Sequence, residues 1–185
     1  MSASKQTMSD AMQSLRSRFE KLSPEERIEL LLRAVEPEGR FTNKFITEQV
    51  VLESITRTSS NTANVVYTFP VDNFYCNNSG NMHGGFQSTA FDMLTSLAMM
   101  CCATPGSAFI DGGVSRTLNV TYLRPAPVGE ELRMECEVTH VGKRMAMSRA
   151  LLKRQRDGAI ISTCEHNKAS VEGGKPGWNE KPSNL

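Results

Sequence analysis

The 185-residue chain has no excess of charge of either sign, no cysteine pair at metal or redox spacing, and no apolar run long enough to cross a bilayer. Its 21 basic and 20 acidic residues leave a net charge of +1. Phosphate-tracking proteins need a basic surplus, so a dedicated nucleic-acid binder is excluded. The five cysteines, Cys76, Cys101, Cys102, Cys136 and Cys164, are an odd set without a CxxC pair. That removes both a disulfide framework and a zinc ribbon. The charge-free stretch worth testing, from Met93, keeps its apolar character for about eleven residues before Pro105 and Gly106. A membrane span needs roughly 20. No continuous apolar core opens the chain as a secretory signal would, so no membrane insertion is expected. An intracellular, cytoplasmic location is the expectation. Mitochondrial is the alternative, because the Ser-rich first residues carry Arg16 and Arg18. There is no internal repeat, no GxSxG elbow, and no HExxH spacing among His83, His140 and His166.

What is present falls into three parts. Residues 1–40 read as helical. Met8, Met12, Leu15, Phe19 and Leu22 recur at helical spacing, and Ser23-Pro24-Glu25-Glu26 is a helix-start signal with a capping box. Ile28, Leu31, Leu32 and Val35 form the second helix's apolar face, with Pro37 and Gly39 as its stop. Two short amphipathic helices cannot bury their faces alone and must dock on the main domain or on a partner chain. Residues 41–170 form the main domain. Phe45 to Arg57 and Ala63 to Val71 read as strands, and Phe86 to about Cys102 as one long helix. Four further strands follow: Gly113 to Leu123, Glu131 to Val141, Arg144 to Arg154 and Ala159 to Ala169. Residues 171–185, rich in Gly and Pro, read as a disordered tail. A lone helix that is apolar over much of its circumference suits an α+β architecture, with a curved antiparallel sheet wrapped round it.

The loop Cys76 to Gly85 enters that helix through Asn77-Asn78, then His83-Gly84-Gly85, with Asp92 after six further residues. Val114-Ser115 and Asn119 to Ala126, including Tyr122, Arg124 and Pro125, follow on the next strand. Together these segments resemble the hotdog-fold acyl-CoA thioesterases, and within them the PaaI-like group that includes mammalian thioesterase-superfamily acyl-CoA hydrolases. The likeness runs from about Phe45 to Ala169. It implies a hotdog fold and acyl-CoA hydrolysis without a cofactor, coenzyme A being part of the substrate. It also implies roles: Asn77 and the Gly84 amide polarising the thioester carbonyl, Asp92 activating water, and Ser115 orienting it. Gly85, Tyr122, Arg124, Pro125, Gly142, Lys143 and Arg144 would line the coenzyme's path, with Arg124 at the strand end nearest it. Ala169 stands where other members can meet the coenzyme. The helical leader and the Gly/Pro tail are extra to the family core. The leader could cover an acyl tunnel, extend a dimer contact or bind a carrier protein.

The chemistry makes the same demands. Thioester hydrolysis builds negative charge on the carbonyl oxygen, and glycines opening a helix supply free N–H donors and a favourable dipole. Water needs a base, and Asp92 is the one acidic residue between Asp72 and Asp111. It lies in a narrow polar stripe of Ser88, Asp92, Thr95 and Ser96. Gly84 and Asp92 are about 12 Å apart along the helix axis at ~1.5 Å per residue, too far for one chain to bring both to a reacting centre. A homodimer is therefore the expected minimal unit, with a dimer of dimers as an extension.

Each residue also admits a structural role. His83 can hold the Asn77 loop instead of meeting substrate, and Asp92 can pair with Ser88 or Ser96. Ser115 can bond backbone, and Asn77 or Asn78 can serve a turn. Lys143, Arg144, Arg149, Lys153, Arg154 and Arg156 suit coenzyme phosphates or a solvated strand face. Met93, Met99, Met100, Met145 and Met147 suit an adaptable acyl tunnel or plain core. Cys101 and Cys102, closing a buried helix, read as inert. Two other functions compete: a hotdog dehydratase or hydratase using His83 with Asp92, and a non-catalytic acyl-CoA-binding protein.

Overall fold

The computed structural model describes residues 17–33, 41–103, 109–110 and 112–170. Helices α1 (Pro24–Arg33) and α2 (Phe41–Glu48) precede strands β1 (Val51–Arg57) and β2 (Ala63–Pro70). A single 3-10 turn, Asn73–Tyr75, leads to the long helix α3 (Gly84–Met100). Strands β3 (Val114–Tyr122), β4 (Glu131–Val141), β5 (Met145–Arg154) and β6 (Ile160–Ala169) follow it. The six strands form one antiparallel sheet in the order β1-β2-β4-β5-β6-β3. This is the expected helix wrapped by a sheet.

Strand alternation explains why the sheet wraps that helix. Val65, Tyr67 and Phe69 on β2, with Leu132, Met134, Cys136 and Val138 on β4, occupy every second position and are buried. So are Ala146, Ala150 and Leu152 on β5. They close over Ala90, Phe91, Leu94, Leu97 and Ala98 of α3, four of which have no exposed surface. Burying each large side chain contributes roughly 1.5–3 kcal/mol. Among the described residues no helix is long and apolar enough to cross a membrane.

One expected strand is wrong at its start. Phe45 lies in helix α2, and the first strand begins at Val51. The β-forming texture around Phe45 is overridden by packing: its ring, fully buried, meets Phe69 and Phe86 edge-on with centroids 5.0 Å apart. Phe86 in turn stacks on Tyr75 at 3.7 Å. This aromatic box grips the first turn of α3 and so sets where the helix begins.

The leader docks on the main domain. The capping box forms as read: Ser23 N–H donates to Glu26 Oε2 at 2.7 Å, and Glu26 N–H donates to Ser23 Oγ at 3.2 Å. Phe19 and Ile28 are buried, Leu31 half-buried. Met8, Met12, Leu15, Val35, Pro37, Gly39 and the tail lie outside the described residues. The pin is a residue that periodicity does not single out. Arg27 is 4% exposed and donates to the carbonyls of Phe19 (2.7 Å), Met100 (3.3 Å) and Ala103 (2.6 Å). A cation at the carbonyl end of α3 complements the helix dipole and satisfies orphan acceptors there. Replacing it by Met should cost about 2–3 kcal/mol, read as a lower urea midpoint, because the freed carbonyls stay buried. A loss below about 0.5 kcal/mol would show that the leader is held by its apolar face alone.

Candidate active site

The polar stripe on α3 is paired residue by residue with β3 and β6. Ser88 Oγ lies 2.6 Å from the Tyr122 hydroxyl, which donates to the Gly84 carbonyl at 2.8 Å. Asp92 Oδ1 accepts from Ser115 Oγ at 2.6 Å. The Thr95 hydroxyl meets His166 Nδ1 at 2.6 Å. Ser96 Oγ accepts from Lys168 Nζ at 2.7 Å. Of the two proposed structural partners for Asp92, Ser88 belongs to Tyr122, and Ser96 donates to the Asp92 main-chain carbonyl at 2.5 Å. The carboxylate itself faces Ser115.

A β-bulge makes that possible. The β3–β6 register slips between Ser115 and Thr117, so Ser115 pairs with Lys168 and Leu118 with His166. Both partners on β6 face inward, so Ser115 and Leu118, three residues apart, share the helix side of a strand that should alternate. Just upstream, Gly113 has φ +64, and a Cβ there would meet the Ala169 carbonyl at 2.8 Å. Only glycine fits the entry to this strand.

Around Asp92 the polar groups are dense. Ser115 Oγ lies 3.0 Å from His166 Nε2 and accepts from Lys168 Nζ at 3.1 Å. His166 Nε2 is 3.2 Å from Asp92 Oδ1. Because the Thr95 hydroxyl donates to the Phe91 carbonyl at 2.6 Å, it accepts from His166 Nδ1–H, which leaves the Nε2 lone pair facing Ser115. Burial, with the Lys168 ammonium, outweighs Asp92 and lowers the His166 pKa to about 4, so the ring is neutral at neutral pH. Asp92 differs from the expectation of a buried acid: its side chain is 44% exposed, while His166 behind it is fully enclosed. The carboxylate thus has one oxygen held and an open side.

The helix N-terminus forms the other half. His83 caps α3, its Nδ1 accepting from Gly85 N–H at 3.0 Å, and a Cβ on Gly85 would sit 3.1 Å from that nitrogen. The His83 ring thus bonds the start of its own helix, while its main-chain N–H donates to the Tyr75 carbonyl at 2.8 Å. The Gly84 N–H has no acceptor among the described residues. Asn77 Oδ1 accepts from Ser79 and Asn81 N–H at 3.0 and 3.2 Å, a turn role, and its amide nitrogen keeps no partner among the described residues. Pro125 adjoins Ala126, whose carbonyl accepts from Met82 N–H at 2.8 Å and ties this loop to the end of β3. Arg124 is exposed and donates to the Ile160 carbonyl at 2.7 Å.

Within one chain the two halves stay apart. Gly84 and Asp92 lie on one unbroken helix, as the spacing argument assumed. Met145, beside the Gly142-Lys143-Arg144 turn, pairs with Ala169, whereas Tyr122, beside Arg124, pairs with Ser162. Seven residues at ~3.4 Å put those basic groups roughly 24 Å apart, too far to meet one phosphate. Of the other basic residues, Arg149, Lys153, Arg154 and Arg156 pair with Glu165, Glu135, Asp157 and Glu130. Lys143 and Arg144 have no carboxylate partner among the described residues. Cys101 and Cys102 are buried, and burial pushes the Cys101 thiol up to about 12, so both are inert. Met99 and Met100 are core, and Met145 is exposed. Among the described residues no three His, Cys, Asp or Glu side chains converge as metal ligands.

His166 and Lys168 were not singled out in the sequence. The signal was there: Ser162, Cys164, His166 and Lys168 occupy the alternate, inward positions of a strand, an unusually polar face for a core. His166 has a testable consequence. Its folded pKa is depressed from 6.5 to about 4, so its contribution is fully present above about 6.5 and is lost as pH falls toward 4. Between about pH 6.5 and pH 5, stability should drop by up to roughly 1.4 kcal/mol per pH unit. His166→Asn should flatten that slope in urea titrations; an unchanged slope would mean the ring is not the titrating group.

Comparison with known proteins agrees with this architecture. The family model of the thioesterase superfamily matches residues 79–161. Acyl-coenzyme A thioesterase 13 of Mus musculus is 30% identical over 118 residues, 64% of this chain and 81% of that protein, and its Homo sapiens counterpart matches to the same extent. The crystal structure of zebrafish thioesterase superfamily member 2 superposes with a TM-score of 0.67 at 25% identity, covering 80% of this chain and 99% of that one. A thioesterase from Streptococcus pneumoniae, solved with coenzyme A, shares the fold at TM-score 0.57 and 21% identity, covering 68% and 90% of the two chains. The chain belongs to the thioesterase superfamily and is a hotdog-fold thioesterase.

Proposed function

We propose that the protein hydrolyses acyl-CoA, or a close acyl thioester, to the free acid and the thiol, at a site shared between two copies of the chain. The observation that carries the reading is that Asp92, bonded by Ser115 of β3, lies on the helix that opens with the unpartnered Gly84 amide. Asp92 takes a proton from water as its oxygen attacks the thioester carbon. The oxyanion is met by the amides of Gly84 and Asn77 of the partner subunit. Collapse breaks the C–S bond, and the proton held by Asp92 passes to the departing thiolate. Ser115 donates to one carboxylate oxygen and accepts from Lys168, so the base is oriented before substrate arrives. Two supports favour a second copy. The Gly84–Asp92 separation needs one, and β3 is an edge strand exposing Val114, Tyr122 and Leu123 beside open backbone groups. Lys143 and Arg144, free of carboxylates, are proposed to meet the coenzyme phosphates. In the dehydratase reading only His83 Nε2–H would remain for chemistry, because Nδ1 caps α3.

Steady-state kinetics on acyl-CoA tests the assignments together. Asp92→Asn should lose at least about 100-fold in kcat, since it keeps shape and removes the base. Ser115→Ala should lose less, about tenfold, because it orients and does not attack. The double variant Lys143→Ala with Arg144→Ala should raise KM with kcat little changed. A Ser115→Ala enzyme as dead as Asp92→Asn would point to a nucleophilic serine instead.

Complementation tests the shared site. At Gly84 an added Cβ stands 3.4 Å from the Tyr122 ring, an ordinary contact, so Gly84→Asp can fold while its carboxylate opposes the oxyanion. Mixing inactive Asp92→Asn and Gly84→Asp under subunit exchange should restore up to about a quarter of wild-type activity, because each mixed dimer has one intact site. An active monomer by light scattering, or mixtures that stay dead after proven exchange, would rule out the shared site.

A further inference from the structure

Between α3 and the leader lies a cavity of about 360 Å³. Its apolar wall is Phe19 and Leu31 from the leader, facing Met93, Leu97 and Met100 from α3. Asp92 and Lys168 stand at its polar end. The cavity therefore begins at the carboxylate assigned to activate water and runs toward the far end of the helix. Met100 is eight residues beyond Asp92, about 12 Å along the axis. A volume of this order is at the lower end of the range for small-molecule pockets.

We infer that the leader is the outer wall of the acyl-chain site, and that Phe19 and Leu31 set which acyl lengths are hydrolysed. The inference rests on the acyl-thioester reading above and adds the substrate class to it. An acyl group whose carbonyl sits by Asp92 can run only into apolar surroundings, and this cavity is apolar away from that end. A volume of about 360 Å³ is of the order that a medium-length acyl chain fills, which favours medium chains. The wall is built to stay put. Arg27 joins the leader to the end of α3 through three carbonyls, and the Ser23–Glu26 capping box fixes the start of the helix that carries Leu31. A wall held in place before binding selects length more sharply than one that folds on binding. Met93 and Met100 on the opposite side, flexible and polarizable, let chains of neighbouring length pack.

The test is kcat/KM for butanoyl-, octanoyl-, dodecanoyl- and hexadecanoyl-CoA in wild type, Leu31→Ala, Leu31→Val and Leu31→Phe. Each further methylene buried is worth about fourfold. Leu31→Ala should raise the dodecanoyl-to-octanoyl ratio by at least about fourfold, and Leu31→Phe should lower it by a similar factor. Leu31 is half-buried, and Leu31→Val makes the same comparison in the smaller direction if the alanine variant does not fold. A leader that only stabilises the fold would lower Tm and all four rates together and leave the ratios alone. Ratios within about twofold of wild type in folded variants overturn the inference and leave the thioesterase assignment standing. A wild-type chain with no turnover on any of the four overturns the acyl-CoA reading itself.

Discussion

A helix enclosed by a sheet can carry polar side chains only where the surrounding strands return a hydrogen bond, since an unpaired polar group there costs about 1–3 kcal/mol. The molecule meets that constraint along one line. Ser88, Asp92, Thr95 and Ser96 are answered by Tyr122, Ser115, His166 and Lys168. The rotation of α3, the register of β3 and the inward face of β6 all depend on this seam. A turn of the helix by one residue, or a slip of β3 by one, would leave several of these groups buried and unpaired. On the proposed reading the same seam orders the chemistry, because it holds one oxygen of a carboxylate whose side chain is 44% exposed.

Two kinds of site geometry meet on α3. Its first turn offers unpaired amides, a property of every helix start, kept open by glycines and steadied by the His83 cap and the aromatic box around Phe86. Its middle offers a carboxylate, Asp92, backed by the buried His166. These cannot converge within one chain because a straight helix separates them by its own rise. In the proposed shared site, the exposed edge of β3, close to both, is the surface through which a second copy would bring the two together.

The leader joins this arrangement at a third place, the carbonyl end of α3. Arg27 satisfies acceptors that the helix leaves open and closes the hydrophobic layer formed by Phe19 and Ile28. It thereby converts an open flank of the helix into a walled cavity that starts at Asp92. On the proposed reading, stability and substrate choice then share one element.

Much of this was legible in the chain. Alternation of apolar residues marked β2, β4 and β5, and helical recurrence from Phe86 marked α3 to within two residues of its start. The Ser23–Glu26 box and the His83-Gly84-Gly85 helix opening were readable because capping is a local matter, settled by side chains within a turn of the backbone they serve. Asp92 stood out because an acid on an apolar helix is costly unless used or paired. Other features were decided only by tertiary contact. Phe45 became helical because three aromatic rings converge on it from distant positions. Arg27 turned inward because carbonyls some 73 and 76 residues away needed a donor. Ser115 faces Asp92 only because a bulge shifts β3 by one residue against β6, and no pattern within β3 encodes that slip. Periodicity describes which face of an element is apolar; register and the pairing of buried polar groups are set by what the opposing strand presents.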